Sequence, residues 1–164
     1  MSSINQKFQD TFELTYEAFI QSVYSDLIPL LKELEIKLGK EQTLQIVKPF
    51  FEKLFIEWTK GEVKNHPIDS LADFIEYDNT SFPSTLVVSE VKETSENRYL
   101  VHVTECLMAN VFRDMDAADI GYDIICAPDF TNAPYFNPKL KLSRKMTVMQ
   151  GHPYCDFLYT WEED

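Results

Sequence analysis

Basic residues are scarce in this chain. Fifteen lysines and arginines stand against 27 aspartates and glutamates among 164 residues, a formal charge of −12 at pH 7. Binding to phosphates relies on clustered Lys and Arg to displace counterions, so nucleic acid is not an expected partner, and an anionic membrane surface is disfavoured for the same reason. No run of 18 or more apolar residues and no apolar leader segment is present, so a membrane span is not expected either. Cysteines number only three, odd and widely spaced, which makes a reducing cytoplasm the simplest setting. CxxC, HxxxH and HExxH spacings are absent, as are internal repeats, low-complexity tracts and stretches of linker composition.

Apolar residues are plentiful: at 45% of the chain they suffice for a core without disulfides or metal, and residues 1–164 read as one domain. From Phe8, the residues Phe8, Phe12, Tyr16, Phe19, Val23, Leu27, Leu31, Leu34 and Leu38 recur at three and four. That spacing predicts a long helix capped at Gly39 and kinked or divided at Pro29. The same stripe suits a homodimer. Glu41 to Trp58 repeats the pattern, interrupted by Pro49 and closed by Gly61, and Ser70 with Asp73 three residues on opens a third helix. Residues 1–80 are therefore read as a helical part, and 84–164 as an α+β core.

In that core, Thr85 to Glu93 and Arg98 to Thr104 flank a polar turn and predict a hairpin. Leu107 to Met115 and Ala117 to Ile125 read as helices. After the Asn137-Pro138 turn, Lys139 to Met149 alternates like a strand, Gly151 to Pro153 turns the chain, and Tyr154 to Trp161 alternates again. The expected fold is α+β, with helices segregated to one side of an antiparallel sheet.

Period-2 geometry puts Cys155, Phe157, Tyr159 and Trp161 on one face and Asp156 on the other. Arg144 falls among apolar neighbours in the incoming strand and needs an anionic partner or a route to water. Cys106, Cys126 and Cys155 each lie at the end of an element, so one sheet edge is able to gather them. Each is equally readable as a small packing residue. With His152 the three thiols have the right ligand types for zinc, although the spacing gives that no support and no cofactor is the first expectation. Asp129 is a candidate general base or a turn cap, Asp156 a candidate contact or a solvent-facing strand residue, and Asn137 a turn residue or a substrate contact. His152 is the histidine of interest; His102 lies on the opposite strand face, and His66 precedes Pro67 in a loop. Asp114, Asp116, Asp119 and Asp123 read as a solvated helix face.

Glu105-Cys106, Gly121-Tyr122, Cys126, Asp129, Phe136-Asn137-Pro138, Met149, Gly151 and Cys155-Asp156-Phe157, in that order over roughly the last third of the chain, resemble the core of the L-2-amino-thiazoline-4-carboxylate hydrolase family. Leu107 departs from the pattern, which usually has proline after the first cysteine. The terminal glycine, cysteine and aromatic residue are also loosely similar to vinyl-reductase-like small-molecule-binding domains. The first resemblance implies hydrolysis of a small cyclic amidine: water attacks the ring carbon between nitrogen and sulfur, and the ring opens to a carbamoyl-cysteine. Such chemistry needs a base, a proton donor and a cation for the substrate carboxylate, roles open to Asp129, His152 and Arg144. Asn137, Asp156 and Cys106 are further candidate substrate contacts. A covalent route through Cys126 or Cys155 is equally open. The second resemblance implies a non-enzymatic sensor or carrier, whose pocket would be lined by Tyr154, Phe157, Tyr159 and Trp161 and nearly free of convergent polar groups.

Overall fold

Helix α1 spans Tyr16–Leu38 in the computed structural model, which describes residues 15–81 and 86–162, the Tyr16 side chain excepted. The Thr15 hydroxyl accepts from the Ala18 amide at its start, and Gly39, at φ 83°, donates its amide to the Glu35 carbonyl at its end. Only glycine adopts that backbone region without strain. Phe8, Phe12 and Thr85, which carried part of the sequence pattern, lie outside the described residues.

Pro29 does not divide α1, and α2 (Lys40–Asn65) runs through both Pro49 and the glycine expected to close it, Gly61. A proline inside a helix costs about 3 kcal/mol and a glycine about 1. Opposite these exposed positions, Ile28, Leu31, Val47 and Phe51 are buried. At roughly 1.5–3 kcal/mol for each such side chain, packing outweighs propensity. Helix α3 (Leu71–Ser81) starts in the expected reciprocal cap: the Asp73 amide donates to Ser70 Oγ, which donates in turn to the Asp73 carboxylate.

Strands β1 (Val87–Thr94), β2 (Arg98–Cys106), β3 (Leu140–Ser143) and β4 (Cys155–Trp161) form one antiparallel sheet in the order β1-β2-β4-β3. Across its centre Val103 pairs with Cys155, Val101 with Phe157 and Tyr99 with Tyr159. These six share a face, and the helices pack on it. On the other face His102 stacks on Tyr154 at 3.9 Å.

The second hairpin is looser than its alternation implied. Its incoming strand pairs only over Leu140–Ser143, because side chains of the outgoing strand then take the backbone donors. Asp156 accepts from the Lys145 and Met146 amides at 2.9 and 2.6 Å, and Cys155 Sγ accepts from the Val148 amide at 3.2 Å. Thr147 caps a 3₁₀ turn over Val148–Gln150, which ends on Gly151 at φ 87°.

Helix α4 (Leu107–Asp114) follows β2 directly. The next helical segment is longer than expected: α5 (Ala118–Gly121) passes into a π turn at Tyr122–Cys126 and then into α6 (Pro128–Phe136). Proline is tolerated at the first position of α6, where a missing N–H matters least. Gly121 lies where a Cβ would come within 2.7 Å of both Met149 Sδ and Phe112 Cγ. Two buried clusters result, one around Ile28, Phe112, Ile124 and Met149 and the other around Leu71, Phe74, Tyr99 and Leu140. A cavity lies between them.

Candidate active site

Cys106 ends β2, Cys126 ends the π turn and Cys155 begins β4. The structure places all three on the wall of one cavity of about 610 Å³, together with Asp129 and Arg144. A π turn carries one residue more than an α turn, so it re-aims the side chains beyond it, and such turns often occur at functional sites. Here it sets the phase of Cys126 and Asp129.

Arg144 leaves the ladder one residue after β3 and turns inward, where its side chain is only 1% exposed. Its guanidinium donates to Asp129 Oδ2 at 2.5 Å and to the Cys126 carbonyl at 2.7 Å, between the rings of Phe130 and Phe157 at 5.1 and 4.7 Å. The arginine among apolar neighbours thus has its anion. Asp129 keeps 30% side-chain exposure and lines the cavity, so a molecule entering it can reach the carboxylate. Burial raises the Asp129 carboxyl above the ordinary carboxylate value, and Arg144 opposes the rise.

All three thiols are raised as well. Burial is the main cause at Cys106, opposed by the Ala109 and Met108 amides; at Cys126, where the Asp129 carboxylate adds to it; and at Cys155, opposed by the Val148 amide. The resting site therefore holds thiols, not thiolates, near neutral pH.

The remaining candidates stand elsewhere. Asn137 donates to the Ile68 carbonyl and accepts from the Lys139 amide, both at 2.9 Å, which fixes the entry to β3. Asp156 is engaged by the Lys145 and Met146 amides. His152 is exposed, its Nδ1 against the Thr147 backbone. None of the three lines the cavity, and the set of three thiols plus His152 is not assembled. Among the described residues no group of three or more His, Cys, Asp or Glu is placed to hold a metal ion. Asp119 and Asp123, read as solvated, make ion pairs with Lys40 and Lys48.

Away from the thiols the cavity wall is aromatic: Phe55 and Trp58 come from α2, Phe74 and Tyr77 from α3, Phe136 from α6, and Phe157 and Tyr159 from β4. Asp78 also lines it, and Tyr99 donates its hydroxyl to Asp78 Oδ2 at 3.0 Å. Burial pushes the Asp78 carboxyl up from 3.8 to about 6. Sequence reasoning missed this residue, although a signal existed. Leu71, Phe74, Ile75 and Asp78 occupy i, i+3, i+4 and i+7, so a carboxylate sits on the apolar stripe of α3.

No curated protein matches the chain. Among solved structures, the trafficking protein particle complex subunit 3 from Naegleria fowleri, covalently bound to palmitic acid, is 13% identical with a TM-score of 0.52, over 90% of this chain and 95% of that one. The phenol-responsive sensory domain of the transcription activator PoxR, with phenol, is 18% identical with a TM-score of 0.47, over 84% of this chain and 73% of that one. At such identity the first is a likeness of fold. A model of the L-2-amino-thiazoline-4-carboxylic acid hydrolase family matches residues 16–159, from the first turn of α1 into β4, and the chain belongs to that family.

Proposed function

We propose that the protein is a hydrolase that opens a small cyclic amidine, L-2-amino-thiazoline-4-carboxylate or a close relative, at the cysteine-lined end of the cavity. The observation that carries the reading is the Asp129–Arg144 pair, held at 2.5 Å on the cavity wall and joined to the Cys126 backbone. Water adds to the ring carbon between nitrogen and sulfur, Asp129 takes its proton, and the tetrahedral intermediate collapses by expelling a ring atom, which recovers that proton. A carboxyl with raised proton affinity suits a group that must both accept and return a proton. A substrate carboxylate that shares the Arg144 charge on binding raises the proton affinity of Asp129 before water adds. The three neutral thiols make direct addition of water the simpler route, since a covalent route through Cys126 or Cys155 requires deprotonation first.

Ring opening of L-2-amino-thiazoline-4-carboxylate, followed by chromatography, tests this. Asp129→Asn is expected to lower kcat by about 10²–10⁴, the range for loss of a general base, while remaining folded by circular dichroism. No turnover by folded wild type, or full turnover by Asp129→Asn, refutes the assignment.

A second reading, a non-enzymatic sensor or carrier, is favoured by the aromatic wall beyond the thiols. It requires binding of an apolar ligand with no turnover. No helix among the described residues is long and apolar enough to cross a membrane. A cytoplasmic role in cysteine metabolism and a homodimer through α1 and α2 complete the proposal. Phe19, Ile36, Ile46, Phe50 and Leu54 are exposed on those helices, and sedimentation reads the size in solution.

A further inference from the structure

A cavity of about 610 Å³ is of the size that encloses a drug-sized ligand, well beyond a single five-membered ring. Its long direction is set by strand register. Val103 and Cys155 mark the thiol end, and Tyr99 and Tyr159 mark the end at Asp78. Four residues of β2 separate Val103 from Tyr99, roughly 13 Å of strand. Trp58, Phe74, Phe136 and Phe157 line the same cavity.

Asp78 has no place in the hydrolytic site, and it is unusual in what it lacks. Its one hydrogen bond comes from the neutral Tyr99 hydroxyl to Oδ2; among the described residues Oδ1 has no donor and no cation pairs with the carboxylate. Asp78 is half-buried, and its free oxygen is not sealed in the core, so a carboxylate without a cation stands on the cavity wall where an incoming cation can reach it. We propose that Asp78 is a second recognition point in the cavity, taking the amine or amidine end of an elongated ligand whose flat apolar body lies along the β2–β4 face toward the thiols.

The proposal is independent of hydrolysis. The groups around Asp78 leave its charge uncompensated. Tyr77 on α3, Tyr99 on β2 and Tyr159 on β4 are all raised, mainly by burial, and stay neutral; Glu62 on α2 acts on Tyr77 and is acidic; Asp129 and Arg144 both act on Tyr159, but they are paired with each other and neither is among the groups that shift Asp78. With its own value near 6, Asp78 is mostly ionised at pH 7.5.

The test uses 4-phenylbenzamidine and its uncharged counterpart 4-phenylbenzamide, titrated calorimetrically into the full chain. Asp78→Asn is expected to weaken the amidine at least about tenfold while leaving the amide unchanged, and Tyr99→Phe, which keeps the carboxylate, retains amidine binding. Wild type is expected to lose about tenfold in amidine affinity between pH 7.5 and pH 5, the ionised fraction of a group titrating near 6. The same pH arm repeated in Asp129→Asn removes the other raised carboxyl on the cavity wall, so it reads Asp78 even if the Asp78→Asn variant does not fold. Failure of wild type to bind the amidine, equal affinity of wild type and folded Asp78→Asn, or a loss that tracks Asp129→Asn and not Asp78→Asn overturns the proposal.

Discussion

Replacing Asp78 with asparagine is expected to make the protein more stable, and increasingly so as the pH rises. Burial lifts the Asp78 carboxyl from 3.8 to about 6 in the folded state. Below 3.8 the group is protonated both folded and unfolded and contributes no penalty. Above about 6 it is ionised in both, and the folded state bears the full cost of the buried charge. At about 1.4 kcal/mol per tenfold change in proton affinity, that cost is about half a kcal/mol at pH 4 and about 3 kcal/mol at pH 8. Asparagine resembles the protonated carboxyl in shape and charge and still accepts the Tyr99 hydroxyl, and the rise to about 6 already includes the opposing effect of that hydrogen bond. Asp78→Asn should therefore be within about half a kcal/mol of wild type at pH 4 and about 3 kcal/mol above it at pH 8. Urea unfolding of both proteins across that range reads the difference, and m-values should coincide. A difference that does not change with pH, or a variant less stable than wild type at pH 8, refutes a buried carboxylate without a cation.

Arg144→Met strands Asp129 in the core and is expected to cost about 3–5 kcal/mol in urea unfolding, most of it recovered in the Asp129→Asn/Arg144→Met double variant. Gly121→Ala drives a methyl into Phe112 and Met149 and should lower stability by about 1–3 kcal/mol by the same measurement. Cys106, Cys126 and Cys155 should react slowly with a thiol-specific chromogenic reagent at pH 7 in the native protein, faster as pH rises, and at ordinary thiol rates in urea.

Periodicity located α1 through α4, because apolar spacing, the Gly39 cap and the Ser70–Asp73 exchange are local signals. It stopped short at Cys126, because Pro128, Asn132 and Pro134 resemble loop composition; α6 forms nonetheless, with Pro128 and Ala133 buried and the Asn132 side chain accepting from Thr59 at 2.6 Å. It overran in β3, where the alternation after Ser143 is real but the backbone donors go to Asp156 and Cys155. At the cavity, strand alternation placed Cys155, Phe157 and Tyr159 on one face and set Arg144 the demand for an anion. That Asp129 answers it depends on a contact between elements 15 positions apart, which no local pattern encodes. Asp78 had the opposite fate: its helical spacing was readable, but no neighbouring residue in the sequence marks it as a chemical group.

The π turn makes the site depend on chain length as much as on residue identity. Each residue of an α-helix advances the side-chain direction by about 100°. A chain shorter by one residue within 122–126 would restore an unbroken α-helical path and rotate Asp129 by that angle relative to α5, away from the guanidinium it now meets. Every cysteine, the aspartate and the arginine would still be present in the sequence, and the pair would be gone. A homologue can therefore carry all the site residues and lack the site, and the count of residues between Gly121 and Pro128 distinguishes the two cases.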